Sequence, residues 1–164
     1  MKLDKTDRVL LEYLQQDARL TNAELARRVN LSAPGLQKRL RKLEENGVIR
    51  QYVTLVDREA LGFDMLCYIN VTLQRHAPEA IRQFRNAVQE MPEVLACYHI
   101  TGEYDYLLKV VVRNRKHLEH FLVETLTPVP GMDKIRTSLV LSEIKSTTAV
   151  PMTFNGDGAQ DEPG

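Results

Sequence analysis

Apolar positions in this chain keep two different periods, and the change between them falls close to Gly62. Before it the spacing is helical. Leu3, Leu10, Leu11 and Leu14 make the stripe of a first helix, with Asp4 and Asp7 placed to cap its start. Thr21 and Glu24 have the spacing of a capping box, which predicts a second helix from Asn22 to about Val29 or Asn30. Ser32 is placed to cap a third, with Pro34 in a first turn where a missing N–H costs nothing. Leu31 and Leu36 are spaced as a hydrophobic staple across that start, and Gly47 supplies a left-handed stop. On the third helix Leu36, Leu40 and Leu43 line one side, while Pro34, Gln37, Lys38, Arg41 and Lys42 fall opposite and Arg39 lies on the flank.

The β-branched run at residues 48–56 reads as an extended strand with a wing-like turn or linker. Residues 57–62 (DREALG) read as a helical turn with a glycine stop, hence a hinge. Beyond it the pattern alternates. Strands are predicted at residues 65–73, 94–100, 106–112 and 135–144, the third nearly all apolar and so central. A helix over residues 78–90 carries Ala80, Ile81, Phe84, Ala87 and Val88. A second, capped by Asn114 and running to about Thr125, turns Leu118, Phe121, Leu122 and Val123 inward before Pro128 and Pro130 break it. The order β-α-β-β-α-β is the ferredoxin-like arrangement, with both helices on one sheet face. The other face must be covered or polar. With Leu66, Tyr68, Leu108 and Val110 expected there, it should pair with a second copy. Residues 153–164, rich in Gly and acid and without periodicity, are expected to be a disordered tail. The chain is thus expected to be α+β. Residues 1–50 form a helix-turn-helix, 51–63 a linker strand and hinge, and 64–152 the ferredoxin-like domain.

Composition narrows the classes. No run of about 18 apolar residues is present, and the opening MKLDKTD lacks the order of a signal peptide, so a cytoplasmic protein without a membrane span is expected. Cys67 and Cys97 are too few for a disulfide framework and are expected to be buried. The formal net charge is zero, yet residues 1–60 carry +3 and residues 61–164 carry −3. Within residues 27–50 seven Lys and Arg stand against two Glu. A local basic patch on a neutral chain fits localised phosphate contact rather than a general polycation.

Residues 3–62 resemble the DNA-binding half of the leucine-responsive regulator (Lrp/AsnC) family. The likeness rests on Leu3-Asp4 and Asp7, Leu25-Ala26, Leu31-Ser32, Arg39-Leu40, Leu43-Glu44 and Gly47-Val48-Ile49, and it continues to about Met152. It implies a winged helix-turn-helix whose third helix enters the major groove of double-stranded DNA. The residues placed to meet DNA are Ser32, Ala33, Pro34, Gln37, Lys38, Arg39, Arg41 and Lys42. Thr101-Gly102-Glu103-Tyr104-Asp105-Tyr106 reads by itself as an ordinary glycine-containing hairpin loop. The resemblance implies more: in that family this loop forms a small-molecule site between subunits, where an amino acid binds. Asp105 suits an ammonium, backbone N–H groups around Gly102 suit a carboxylate, and Tyr104 could wall a side-chain pocket. Thr137 and Ser138 match the family's pocket strand loosely. The resemblance also implies homodimers assembling into larger rings.

Catalysis finds no support, because no nucleophile–base constellation, dinucleotide fingerprint or phosphate loop is present. His117 and His120 share a helix face, yet no third ligand has metal-site spacing, so no metal or cofactor is expected. His99 either packs or lines the effector cleft. Two functions remain: a DNA-binding transcriptional regulator modulated by an amino-acid effector, or an architectural DNA-binding protein without one.

Overall fold

The computed structural model describes residues 1–74 and 78–152, so the expected tail at 153–164 lies outside the described residues. Contacts divide the described residues into 1–54 together with 145–152, and 55–74 together with 78–144.

The first unit is built on α1 (Lys5–Gln16), α2 (Asn22–Arg28) and α3 (Ala33–Glu45). The caps are where the side-chain spacing predicts them. Asp4 and Asp7 form a reciprocal capping box on α1, Thr21 and Glu24 another on α2, and Ser32 caps α3. The corner between α2 and α3 is closed by Asn30 at φ 54°, with the Leu31 N–H donating to Ala26 O at 2.9 Å. This is the left-handed helix stop that asparagine tolerates. Gly47, at φ 68°, ends α3 in the same way, and the Val48 N–H reaches Leu43 O at 2.9 Å. Leu10, Leu11, Leu25, Ala26, Leu36 and Leu43 form the core.

Two expectations fail here. Residues 48–56 form no strand, and Tyr52, Val53, Leu55 and Val56 stay exposed. β-Branched residues favour extended backbone, but a strand needs a neighbour to pair with, and among the described residues this segment has none. Residues 145–152, expected with the second domain, group with the first unit instead. The Val150 N–H donates to Gln15 Oε1 at 2.7 Å, Gln15 Nε2 returns a bond to Val150 O at 3.0 Å, and Met152 packs on the helical core.

The second unit is an antiparallel four-stranded sheet in the order β2-β3-β1-β4. Its strands are β1 (Met65–Leu73), β2 (Val94–His99), β3 (Tyr106–Val112) and β4 (Met132–Leu139). One face is covered by α4 (Pro78–Gln89), by α5 (Arg115–His120) and by the π-helical turns Phe121–Leu126 that continue α5. In those turns the Thr127 N–H reaches Leu122 O at 2.9 Å. Cys67, Ile69, Val71, Leu108 and Val110 meet Phe84, Val88, Phe121 and Leu126 in the core. Leu108 and Val110 therefore face the helices, not the open side, because strand alternation sends Leu107, Lys109 and Val111 the other way. Leu66 and Tyr68 do lie on the open side, with Leu66 only 3% exposed. Val123 is exposed, since the wider π turns rotate it off the buried side. Cys97 is also exposed, on the edge strand β2, whereas Cys67 is buried and its thiol is pushed up by burial. β4 starts earlier and ends earlier than the apolar run at 135–144 suggests. Past Val140, whose N–H donates to Leu66 O, Leu141 and Ile144 have no strand to lie against among the described residues and are exposed.

Gly131 sets the start of β4 against α4. It has φ 84°, and an added Cβ would stand 2.3 Å from Ala80 Cβ. Gly131→Ala should cost about 1–3 kcal/mol from overpacking, with left-handed strain added. Chemical denaturation of the second unit checks this, and an unchanged midpoint would contradict it.

Candidate nucleic-acid interface and effector loop

The candidate interface is the outer side of α3. Leu36 and Leu43 are buried beneath it, which leaves Ala33, Pro34, Gln37, Lys38, Arg41 and Lys42 exposed. Among the described residues Lys38, Arg41 and Lys42 make no ion pair. Ser32 spends its hydroxyl on the cap, accepting from the Gly35 N–H at 3.3 Å. Arg39 differs from its basic neighbours. Its Nη1 lies 2.6 Å from Asp4 Oδ2 and 2.7 Å from Asp7 Oδ1. Asp7 is 4% exposed and Arg39 31%, so the pair is partly desolvated. The Asp7 N–H first, and then Arg39, hold the Asp4 carboxyl below its ordinary value. Arg39, on the flank of α3, is among the residues expected to meet DNA. The structure gives its guanidinium to two carboxylates that start α1, so it ties α3 to α1. At the far end of α3 the Tyr52 hydroxyl donates to Glu44 Oε1 at 3.0 Å, and partial burial with that carboxylate pushes it up to about 12.

The β2–β3 loop is fixed by its last acid. The Asp105 N–H donates to Val71 O at 3.0 Å, Asp105 O accepts from the Ile100 N–H at 2.9 Å, and Asp105 Oδ2 accepts from the Leu73 N–H at 2.8 Å. One carboxylate oxygen thus fastens the loop to β1, leaving Oδ1 for another donor. Thr101, Gly102 and Glu103 are exposed, and Gly102 has φ 118°, open only to glycine at low cost. The Tyr104 hydroxyl accepts from Arg136 Nη1 at 3.5 Å. Thr137 and Ser138 do not converge on the loop together. Thr137 pairs with Ile69 on the helix-covered face, and Ser138 pairs with Tyr68 on the opposite one. His99 packs, its ring 5.0 Å from that of Tyr106, whose hydroxyl accepts from Arg85 Nε at 3.3 Å.

Arg136 was missed by sequence reasoning. The apolar residues from Ile135 onward dominate the pattern of β4 and mask its charged alternate positions. The signal was present in the alternation Lys134, Arg136, Ser138. His117 is accounted for within the fold: its Nδ1 accepts from the Arg113 N–H at 3.2 Å and its Nε2 lies 3.1 Å from Glu93 Oε1. Among the described residues no cluster of His, Cys, Asp and Glu could hold a metal ion. Among them, too, no helix is long and apolar enough to cross a membrane.

Comparison with known proteins gives these two sites a common setting. Residues 3–50 match the family described as winged helix-turn-helix DNA-binding, and residues 66–150 match the Lrp/AsnC ligand binding domain. The leucine-responsive regulatory protein of Escherichia coli is 39% identical over 145 residues, covering 88% of each chain. The DNA-binding transcriptional activator DecR of the same organism is 39% identical over 150 residues, 92% of this chain and 99% of that one. A transcriptional regulator of Neisseria meningitidis, solved as a complex with L-methionine, superimposes with a TM-score of 0.88 at 40% identity, covering 92% of this chain and 97% of that one. The two family matches cover the helical unit and the sheet unit in turn, the relatives match along most of the chain, and the chain belongs to the Lrp/AsnC family of DNA-binding transcriptional regulators.

Proposed function

We propose that α3 enters the major groove, that Lys38, Arg41 and Lys42 meet phosphates, and that Gln37 with Ala33 and Pro34 faces base edges. The observation that carries this is the exposed cationic side of α3, set against a buried leucine stripe on a capped helix. The loop Thr101–Asp105 with β4 receives a free amino acid, as the relative solved with L-methionine suggests. Asp105 Oδ1 takes its ammonium. Thr137 and Ser138, on opposite faces, reach at most singly into such a pocket.

One helix-turn-helix offers few base contacts, so two copies are needed for useful specificity. The open sheet face, with Tyr68, Leu107, Val111 and Tyr98, suits a second copy, and dimers would assemble further as in the family. The protein would act in the cytoplasm, where its DNA is. An effector-independent architectural role is the alternative.

DNA titration over a salt series separates contact from scaffold. The Lys38→Ala, Arg41→Ala double variant should weaken binding to every sequence and reduce the salt slope by about two, one for each phosphate lost. Gln37→Ala should change base preference by about 1–3 kcal/mol instead. An unchanged slope in the double variant would remove the docking model.

A further inference from the structure

An α-amino acid brings an anion as well as a cation, and beside the backbone N–H groups around Gly102 a side-chain cation can meet its carboxylate. Resting on the effector reading above, we propose that Arg136 on β4 is the residue that binds the amino acid's carboxylate, with Tyr104 positioning its guanidinium.

Most described arginines of the second unit are already engaged. Arg58, Arg82 and Arg115 pair with Glu59, Glu79 and Glu119. Arg113 lies over the Phe63 ring and Arg85 reaches the Tyr106 hydroxyl. Arg136 is brought to the loop: its Nη1 reaches the Tyr104 hydroxyl, and among the described residues it makes no ion pair. A guanidinium carries five N–H donors in a planar fork, and the hydroxyl uses one, so a paired donor set remains for a carboxylate.

Placement follows from the sheet register. Arg136 sits opposite Asn70 on β1, and the Asp105 N–H donates to Val71 O one residue along the same strand. Tyr104 and Asp105 are neighbours in the chain. The first holds the cation of β4, and the second is fastened to β1 while keeping Oδ1 for an ammonium. A zwitterion laid across this end of the sheet would find opposite charges in the order it needs. Glu103, exposed in the same loop, also lies close enough to act on the Arg136 charge.

The test is calorimetry on the full chain with the standard amino acids, followed by the α-amide of whichever binds most tightly. The amide keeps the ammonium and side chain but loses the anion. Wild type should prefer the acid over the amide by about 10- to 100-fold, the range for a charge-assisted bond. Arg136→Gln should bind the acid as weakly as wild type binds the amide, with amide affinity unchanged, and Arg136→Lys should recover part of the difference. Tyr104→Phe should shrink the preference without removing it. Arg136→Gln that retains both affinity and acid-over-amide preference would overturn the assignment while leaving the effector reading intact. A wild-type chain that binds none of the amino acids would overturn both.

Discussion

Arg39→Ala should destabilise the DNA-binding unit by about 3 kcal/mol, the lower end of the range for breaking a buried ion pair. The magnitude follows from what stays behind. Asp7 is buried, and without Arg39 its carboxylate keeps one donor, the Asp4 N–H at 3.1 Å. Partial exposure of Arg39 places the loss at the low end rather than the high one. Lys38→Ala and Lys42→Ala, one residue before and three after, should change stability by less than about 0.5 kcal/mol, as surface substitutions do. The pair therefore divides scaffold from contact on one helix. Thermal unfolding monitored in the helical unit reads this: about 3 kcal/mol corresponds to a fall of roughly 12 °C or more in a unit this small. Equal Tm values for Arg39→Ala and Lys38→Ala would show the pair to be inconsequential. Acid gives an independent check. The Asp4 carboxyl is held below its ordinary 3.8, so its contribution is complete above that pH and fades as pH falls through the lower folded value. Replacing Arg39 should remove part of that acid sensitivity.

Asp105→Asn should lower amino-acid affinity at least about tenfold while DNA affinity without effector changes little. The substitution is nearly isosteric, and an asparagine Oδ1 can still accept the Leu73 N–H that now fastens the loop. What is lost is the charge offered by the second oxygen. A charge-assisted hydrogen bond is worth about 1.5–3 kcal/mol, and each 1.4 kcal/mol is a factor of ten. Asp105→Ala is the informative contrast, because it removes the fastening as well and should loosen the β2–β3 turn. Calorimetric affinity that is undiminished in Asp105→Asn would place the ammonium elsewhere.

Much of this was legible in the sequence, for physical reasons. Caps are local: Asp4 with Asp7, Thr21 with Glu24 and Ser32 with Gly35 are each three residues apart, so spacing alone places the helix starts. The strand β3 was legible because a run buried on the core side and partly buried on the other is apolar at every position but Lys109. Relations across the chain were not legible. Nothing local tells that Arg39 meets carboxylates thirty-five and thirty-two residues earlier, or that Arg136 meets Tyr104. The strand expected at 48–56 and the second half of the strand expected at 135–144 failed for one reason. β-Propensity describes a residue's fit to a pleated surface, and Val53, Leu55, Leu141 and Ile144 have no such surface within the described chain. Face assignment failed by a single step of alternation at Leu108 and Val110, where in a nearly all-apolar run only Lys109 marks the uncovered side.

The most direct test of the account is a titration of operator DNA with the full chain, repeated at saturating concentration of the amino acid that calorimetry selects. Effector and DNA sites that bias one another must shift each other's affinity by the same factor. The expected result is a shift of about five-fold or more in DNA affinity or in the size of the DNA-bound assembly, matched by the reciprocal shift in amino-acid affinity and moved to at least about tenfold higher amino-acid concentration by Asp105→Asn. Identical DNA binding with and without the amino acid would contradict it and leave the architectural reading in its place.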